Sequence, residues 1–323
     1  MKKITSVLLS LFLVFSLAGA AFAAPSYKVA IVKQLDHASL DEIAAAIEAE
    51  LDVIAEKEGV SISYERFSGQ NDQTMLQQIA TQTVNEDFDV IIPIATRAAQ
   101  IVAVVAEETQ IPVVYAAISD PEAAELTEID YVTGTSDMLN TAFIIDMMLT
   151  QNPELKTVGL LYSLSEANSR RPIEEAKACL DAKGIQYIEA TGNTNDEIIA
   201  AAGSLVSDRV DAIFTPTDNV VMAAELAIAQ TFAEAGIPHY TGADSFVRNG
   251  AFATCGVNYT DLGAKTADLA YQALTEGMAG LEDYYMMDGG IITVNTETAE
   301  ALGIDTSIFA DMGTLVEVQT AED

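Results

Sequence analysis

The stretch Phe88-Asp89-Val90-Ile91-Ile92-Pro93-Ile94-Ala95-Thr96 decides the fold, because it has a counterpart at Val210-Asp211-Ala212-Ile213-Phe214-Thr215-Pro216-Thr217-Asp218. Each stretch is an apolar, strand-like run that reaches a polar residue seven positions after its Asp, at Thr96 and at Asp218. A helical pattern follows each one, and then Ile-Pro and another strand. The repetition predicts two lobes of like topology, with chance similarity between strand–helix units as the alternative.

Short apolar runs and amphipathic helical patterns alternate on both sides of these two stretches. Strand patterns cover 28–35, 60–66, 88–94 and 111–116 in the first half, and 157–162, 186–190, 210–215 and 237–240 in the second. Helical patterns cover 39–57, 72–85, 97–108, 166–182, 196–206 and 220–235. Ser39 with Glu42 three residues later predicts a capping box at the first helix. This alternation predicts an α/β fold of two Rossmann-like lobes with parallel sheets.

Polar residues follow the predicted strands, where an open parallel sheet binds its ligands. If the lobes face each other, these residues line opposite walls of one cleft. Taken singly, each of them also fits a helix cap or a turn. The candidate ligand-binding residues at or near strand ends are Leu35, Gln70, Thr96, Ser119, Glu166, Asn168, Ser169, Asp218, Asn219 and Asp244.

Two of these candidates suggest a class of ligand. Thr96 directly precedes a helical pattern, so it is predicted to cap that helix, whose free N–H groups and positive end suit a carboxylate. Asp218 has the charge to pair with an ammonium group. Together the two describe the ends of an α-amino acid, although Arg170 and Arg171 are an alternative pair for the carboxylate.

The composition excludes several functions. A formal net charge of −34 argues against nucleic acid and anionic membrane surfaces as partners. With only two histidines and two cysteines, a zinc site is disfavoured, and we expect no metal or cofactor. The phosphate-loop, dinucleotide and nucleophile-elbow motifs do not occur in the sequence. An exported enzyme that depends on His37 is the remaining catalytic alternative. Cys179 and Cys255 are interpreted either as a disulfide or, preferably, as separately buried side chains.

The first 23 residues have the pattern of a secretory signal peptide. Met1-Lys2-Lys3 is positive, an apolar run follows from about Val7 to Leu17, and Ala21-Phe22-Ala23 offers small residues for cleavage. A transmembrane anchor is the alternative, but the run is shorter than the roughly 20 residues that a span needs. We therefore expect cleavage after Ala23 and, with no cysteine there to carry lipid, a free periplasmic protein without membrane insertion.

Several motifs in the sequence resemble those of one transport family. They are Ile94-Ala95-Thr96-Arg97-Ala98-Ala99-Gln100, Ser119-Asp120-Pro121, Val132-Thr133-Gly134-Thr135-Ser136-Asp137, Gly159-Leu160-Leu161-Tyr162, Glu166-Ala167-Asn168-Ser169, Pro216-Thr217-Asp218-Asn219 and Gly250-Ala251-Phe252-Ala253-Thr254. In this order they resemble the ABC-transporter substrate-binding proteins that include tryptophan- and other aromatic-amino-acid-binding members. The Glu-Ala-Asn-Ser and Asp-Asn elements are the most distinctive.

The resemblance implies a type I periplasmic binding protein, with lobes of residues 24–138 plus 259–281 and 139–258 plus 282–323, joined by three crossings. It implies an ABC permease and its ATPase as partners of a monomer. By position, Thr96 and Ala98 would hold the ligand carboxylate, and Glu166, Asn168, Ser169 and Asp218 its other polar groups. Arg97 departs from the family, which has a small residue or proline at this position.

The expected ligand is an aromatic amino acid, and an aliphatic or other amino-acid-like solute is the second choice. Aromatic residues often stack against such ligands, although each candidate also fits the core. These candidates are Tyr64, Phe67, Tyr115, Tyr162, Phe214 and Phe246. A ligand sensor for a membrane signalling protein would use the same cleft and is the alternative to a transport receptor.

Overall fold

The computed structural model describes residues 24–321, so the predicted signal peptide lies outside the described residues. The strands are β1 (Ser26–Lys33), β2 (Ser61–Ser68), β3 (Val90–Ile94), β4 (Val113–Tyr115), β5 (Val132–Ser136), β6 (Thr157–Tyr162), β7 (Gln186–Thr191), β8 (Ala212–Thr215), β9 (His239–Thr241), β10 (Ala253–Gly256), β11 (Tyr285–Met286), β12 (Ile291–Asn295) and β13 (Thr314–Val318). The helices are α1 (Ala38–Glu58), α2 (Gln73–Asn85), α3 (Thr96–Ala106), α4 (Thr141–Gln151), α5 (Arg170–Lys183), α6 (Asn195–Asp208), α7 (Asn219–Ala235), α8 (Asp244–Arg248), α9 (Tyr259–Glu276) and α10 (Thr296–Leu302).

The strands form two sheets of closely related topology. The first has the order β11-β5-β4-β3-β1-β2 and is parallel throughout. The second has the order β13-β12-β10-β9-β8-β6-β7 and is parallel except where β12 runs against β10. The order β2-β1-β3-β4-β5 thus recurs as β7-β6-β8-β9-β10, which confirms the predicted α/β fold with two lobes of like topology. In each lobe the strand order reverses between the first and third strands, where such sheets bind ligands.

The repeated Asp of the two matching stretches has the same structural role in both lobes. The Asp89 carboxylate, just before β3, accepts the backbone N–H of Lys28 at 2.7 Å. The Asp211 carboxylate, just before β8, accepts the N–H groups of Lys156 and Thr157 at 2.8 and 2.9 Å. Each Asp therefore joins the start of its lobe's third strand to the start of the first strand, which explains why the sequence pattern repeats.

The chain passes between the sheets three times, at residues 137–140, 257–258 and 287–290. Helix α9 packs against α1 in the first lobe. The last passage comes later than the predicted boundary after residue 281, because Tyr285 pairs with Thr135 in the first sheet. Residues 285–286 therefore belong to the first lobe, and we retain the boundaries at 138 and 258 as a proposed division.

Helix α1 shows where a local prediction is wrong. His37 is its N-cap and makes no side-chain capping bond. The Ser39 hydroxyl instead bonds to Ser245 of the second lobe at 2.6 Å, and Glu42 accepts from Thr260 at 3.1 Å. The predicted capping box does not form because both side chains are used in tertiary contacts.

Among residues 24–321, no helix is long and apolar enough to cross a bilayer. Within the same range no group of three or more His, Cys, Asp and Glu side chains is arranged to hold a metal. Cys179 and Cys255 are free thiols, and only Cys255 is fully buried.

Candidate ligand-binding site

The strand ends of the two lobes meet around a small cavity, which is lined from both sides. The first lobe contributes His37, Ser39, Leu40, Ala95, Thr96, Ala117, Ser119, Asp137 and Tyr259. The second contributes Asn168, Thr217, Asp218, Asn219, Met222 and Phe246. The cavity volume is about 20 Å³, which is room for about one water molecule. The structure is therefore a closed form, and an amino acid enters only when the lobes separate.

The start of α3 forms one wall of the cavity. Ala95 is the N-cap, with the unusual φ of 77°, and Thr96 is the first helical residue rather than the predicted cap. The first N–H groups of a helix have no partners within it, so they suit an anion. The Thr96 side chain borders the cavity, whereas the Ala98 side chain is buried in the hydrophobic core of the first lobe. Ala98 can therefore contribute only its backbone to a carboxylate site.

Asp218 forms the opposite wall and is fully buried. One carboxylate oxygen caps α7 by accepting the N–H groups of Val220 and Val221, both at 3.0 Å. The other accepts the Ser163 N–H at 2.7 Å and the Ser169 hydroxyl at 2.6 Å. Burial, together with the nearby charge of Glu166, raises the pKa of Asp218 to about 7. An ammonium ion would favour the charged carboxylate and would lower this pKa.

Glu166 joins the two lobes. It is 2% exposed, and its carboxylate accepts Gln34 Nε2 of the first lobe at 2.9 Å and Asn219 Nδ2 of the second at 2.6 Å. The Arg97 guanidinium lies 3.8 Å from the same carboxylate and also bonds to the Ser165 carbonyl. Arg97 thus spans the cleft.

His37 also reaches across the cleft, since its Nε2 lies 3.0 Å from Asn219 Oδ1. Burial of the ring lowers the pKa of His37 to about 4, so the imidazole is neutral at physiological pH. His37 borders the cavity. Its position after the first predicted strand agrees with this place, although the specific role considered for it from the sequence was that of a catalytic residue.

Asp137 and Tyr259 line the cavity where the chain passes between the lobes. The Tyr259 hydroxyl donates to Asp137 Oδ2 at 3.0 Å, and the Ser119 hydroxyl donates to Asp137 Oδ1 at 2.8 Å. Ser119 also lies 3.0 Å from the Thr217 hydroxyl of the second lobe. Burial raises the pKa of Asp137. Asp137 and Tyr259 were not predicted as site residues. The one sequence signal for either was that Asp137 ends the family motif Val132-Thr133-Gly134-Thr135-Ser136-Asp137.

The predicted aromatic candidates separate into two groups. Phe246 borders the cavity, together with Tyr259 and the aliphatic side chains of Leu40 and Met222. The remaining five are not among the cavity-lining residues; Tyr115 and Phe214, for instance, are completely buried in the lobe cores. One aromatic side chain of each lobe therefore faces the cavity.

Besides Ala98, five candidates lie outside the cavity lining, namely Glu166, Gln70, Leu35, Ser169 and Asp244. Gln70 is on the surface, where it bonds to Asp36 and Ser68, and Leu35 packs in the hydrophobic core. The Ser169 hydroxyl donates a hydrogen bond to the Asp218 carboxylate, and Asp244 forms an ion pair with Arg248. Burial raises the pKa of Asp244 to about 6. Leu35, Gln70 and Asp244 each follow a strand within three residues, whereas Ser169 ends a short 3-10 helix, and none of the four borders the cavity.

Residues 28–308 match the family model described as ABC transporter substrate binding protein. The chain belongs to this family. Its members bind a substrate for transport and are not catalytic, which removes the enzyme alternative. The protein is 29% identical over 279 residues to a tyrosine-binding protein of Clostridioides difficile strain R20291, covering 85% of this chain and 80% of the relative.

Two solved structures illustrate the likeness. A Streptococcus pneumonia ABC domain in complex with L-Trp is 27% identical, covers 90% of this chain and 100% of its own, and superposes with a TM-score of 0.81. A ligand-free, open substrate-binding protein with adhesive properties from Clostridium difficile is 28% identical, covers 91% and 100%, and has a TM-score of 0.67.

Proposed function

We propose that this protein captures an aromatic amino acid in the cleft and delivers it to the permease and ATPase of an ABC importer, working in the periplasm as a monomer. The main support for the proposal is that groups suited to the two ends of an amino acid lie on opposite walls of the cavity. The N-terminus of α3 with Thr96 suits a carboxylate, and the Asp218 carboxylate suits an ammonium, and both border one cavity. The relatives named for tyrosine and solved with L-Trp support an aromatic side chain.

Closure of the lobes is the expected response to the ligand. Contacts across the cleft include Gln34–Glu166 at 2.9 Å, Ser39–Ser245 at 2.6 Å and Ser119–Thr217 at 3.0 Å. These bonds must break for a ligand to enter, and they re-form around it when it bridges the walls. Hinge closure of this kind shifts the population toward the bound form by as much as the ligand prefers that form.

A thermal-shift screen of the twenty amino acids tests the proposal. A ligand at a hundred times its Kd stabilises the folded protein by about 2.7 kcal/mol, so the melting temperature rises. Because the chain contains no Trp, the fluorescence of added tryptophan also reports its own binding. We expect shifts with aromatic amino acids. A shift only with aliphatic amino acids would change the ligand class, and no shift with any of them would contradict an amino-acid receptor.

Delivery to a transporter needs a separate test. ATP hydrolysis by the cognate permease and ATPase, reconstituted in proteoliposomes, should rise when the liganded protein is added. A protein that leaves this hydrolysis unchanged, while it still binds its amino acid, would act in sensing rather than in import.

A further inference from the structure

A chain of hydrogen bonds fixes which nitrogen of His37 carries the proton. The Glu166 carboxylate accepts from Asn219 Nδ2 at 2.6 Å. This contact orients the Asn219 amide, because its nitrogen must face the carboxylate and its oxygen must face the other way. Asn219 Oδ1 lies 3.0 Å from His37 Nε2. An amide oxygen only accepts, so Nε2 is the protonated nitrogen of the neutral ring.

His37 Nδ1 is consequently a free acceptor at the cavity. The residue as a whole is partly exposed, but Nδ1 itself is shielded from solvent and has no hydrogen-bond partner among residues 24–321. His37 borders the cavity. A buried acceptor without a donor is unfavourable, so a ligand that supplies a donor binds more tightly than one that does not.

The cavity that His37 borders also has an apolar wall. His37 is the extended N-cap of α1 and Leu40 lies in the first turn of that helix, while Met222 follows Asn219, the partner of the imidazole, by three residues in α7. Residues three apart on a helix are neighbours on one face, so Met222 lies beside Asn219. Leu40 and Met222 both border the cavity together with Phe246. A ligand side chain that packs against these three residues brings its outer polar atom toward His37.

We infer that His37 Nδ1 accepts a hydrogen bond from a donor on the ligand side chain and so selects among aromatic amino acids. The tyrosine O–H and the tryptophan indole N–H satisfy it, whereas phenylalanine leaves it unpaired. This inference rests on the proposed function, since it assigns a group to the side chain of the same amino acid. Sites built to receive a ligand donor discriminate strongly against analogues that lack the donor.

The test compares the Kd values of tyrosine, tryptophan and phenylalanine by calorimetry for the wild type and for His37→Leu. We expect phenylalanine to bind the wild type at least about tenfold more weakly than tyrosine, which corresponds to about 1.4 kcal/mol. In His37→Leu the ratio should fall to within about threefold. The control Ser39→Ala removes a neighbouring cavity hydroxyl, and it should change all three affinities by a similar factor and preserve the ratio.

The outcomes separate the inference from the proposed function. Equal binding of phenylalanine and tyrosine to the wild type, or an unchanged ratio in His37→Leu, overturns the role of His37 while the receptor function stands. Failure of all three to bind overturns both. If His37→Leu does not fold, the ¹⁵N resonance of wild-type His37 Nδ1 decides: it should move when tyrosine is added and stay in place with phenylalanine. A resonance that tyrosine does not move overturns the inference.

Discussion

Asp218→Asn is the substitution that tests the candidate site most directly. An asparagine keeps one oxygen to accept from Val220 and Val221, so α7 stays capped. Its NH₂ group replaces the oxygen that accepts the Ser163 N–H at 2.7 Å. Two donors then face each other, while the Ser169 hydroxyl can rotate and accept. One buried N–H loses its partner, and we expect a loss of about 1–3 kcal/mol in the free energy of unfolding at pH 8.

The same substitution should flatten the dependence of stability on pH. The pKa of Asp218 is raised from 3.8 to about 7 in the folded protein. The folded state therefore binds this proton more tightly than the unfolded state, and its contribution is present at pH 4 and lost as the pH rises through 7. Three pKa units correspond to at most about 4 kcal/mol. Asp244, whose pKa is raised to about 6, adds to the wild-type slope and remains in the variant.

Ligand affinity gives the sharpest measurement. An ammonium that pairs with Asp218 requires the ionised carboxylate, so wild-type affinity should fall about tenfold per pH unit below 7. Asp218→Asn should weaken binding at pH 8 by about 1.5–3 kcal/mol, roughly tenfold to a hundredfold, and should show little dependence on pH. Calorimetry at pH 6 and 8 measures both effects. The matched control Asp208→Asn removes an exposed carboxylate at the end of α6 and should bind as the wild type does.

Two results would refute this reasoning. An unchanged affinity at pH 8 removes Asp218 from contact with the ammonium and leaves it only as the cap of α7. The second result is a wild-type affinity that does not change between pH 6 and 8, although Asp218→Asn weakens binding. It would mean that the Asp218 carboxylate is already ionised in this range and that burial does not control its titration.

Four further substitutions test separate parts of the structure. Thr96→Val should weaken amino-acid binding by less than Asp218→Asn, about 0.5–1.5 kcal/mol, and equal calorimetric affinities would exclude the hydroxyl from the site. Gly134→Ala places a Cβ 2.2 Å from the Tyr115 carbonyl oxygen, so urea unfolding should show a loss above about 3 kcal/mol. Asp211→Ala breaks two backbone bonds and should cost about 1–3 kcal/mol of stability with unchanged ligand affinity. Arg97→Ala removes the bond to the second lobe, so the ligand-free radius of gyration from X-ray scattering should increase; an unchanged radius would show that Arg97 does not hold the lobes together.

The fold could be predicted because its signals are local and repeated. Strand and helix patterns around Asp89 and Asp211 depend on residues within one strand–helix unit, and the same aspartate contact forms in both lobes. The strand β6 has the predicted bounds, Thr157–Tyr162. The capping box at Ser39 was wrong because a residue more than 200 positions away, Ser245, competes for the hydroxyl.

The site was only partly predictable, because the end of a strand fixes where a residue lies but not where its side chain extends. Thr96, Ser119 and Asp218 follow strands and do border the cavity. Gln70 also follows a strand, yet its side chain is exposed and bonded to Asp36. Tyr259 begins α9 and enters the cavity because the chain has just crossed between lobes. Its place depends on the meeting of segments that are distant in sequence, which no local pattern records.

The bond between Asp137 and Tyr259 joins the first passage between the lobes to the residue that directly follows the second, and both residues also line the cavity. The side chains of Asp137 and Tyr259 are therefore expected both to touch the ligand and to move when the lobes rotate. We expect a bulkier occupant that pushes these two side chains apart to leave the lobes at a wider closure angle than a small one. The angle would then report the size of the bound molecule, and a membrane partner that docks on both lobes would receive a graded signal instead of a simple choice between full and empty.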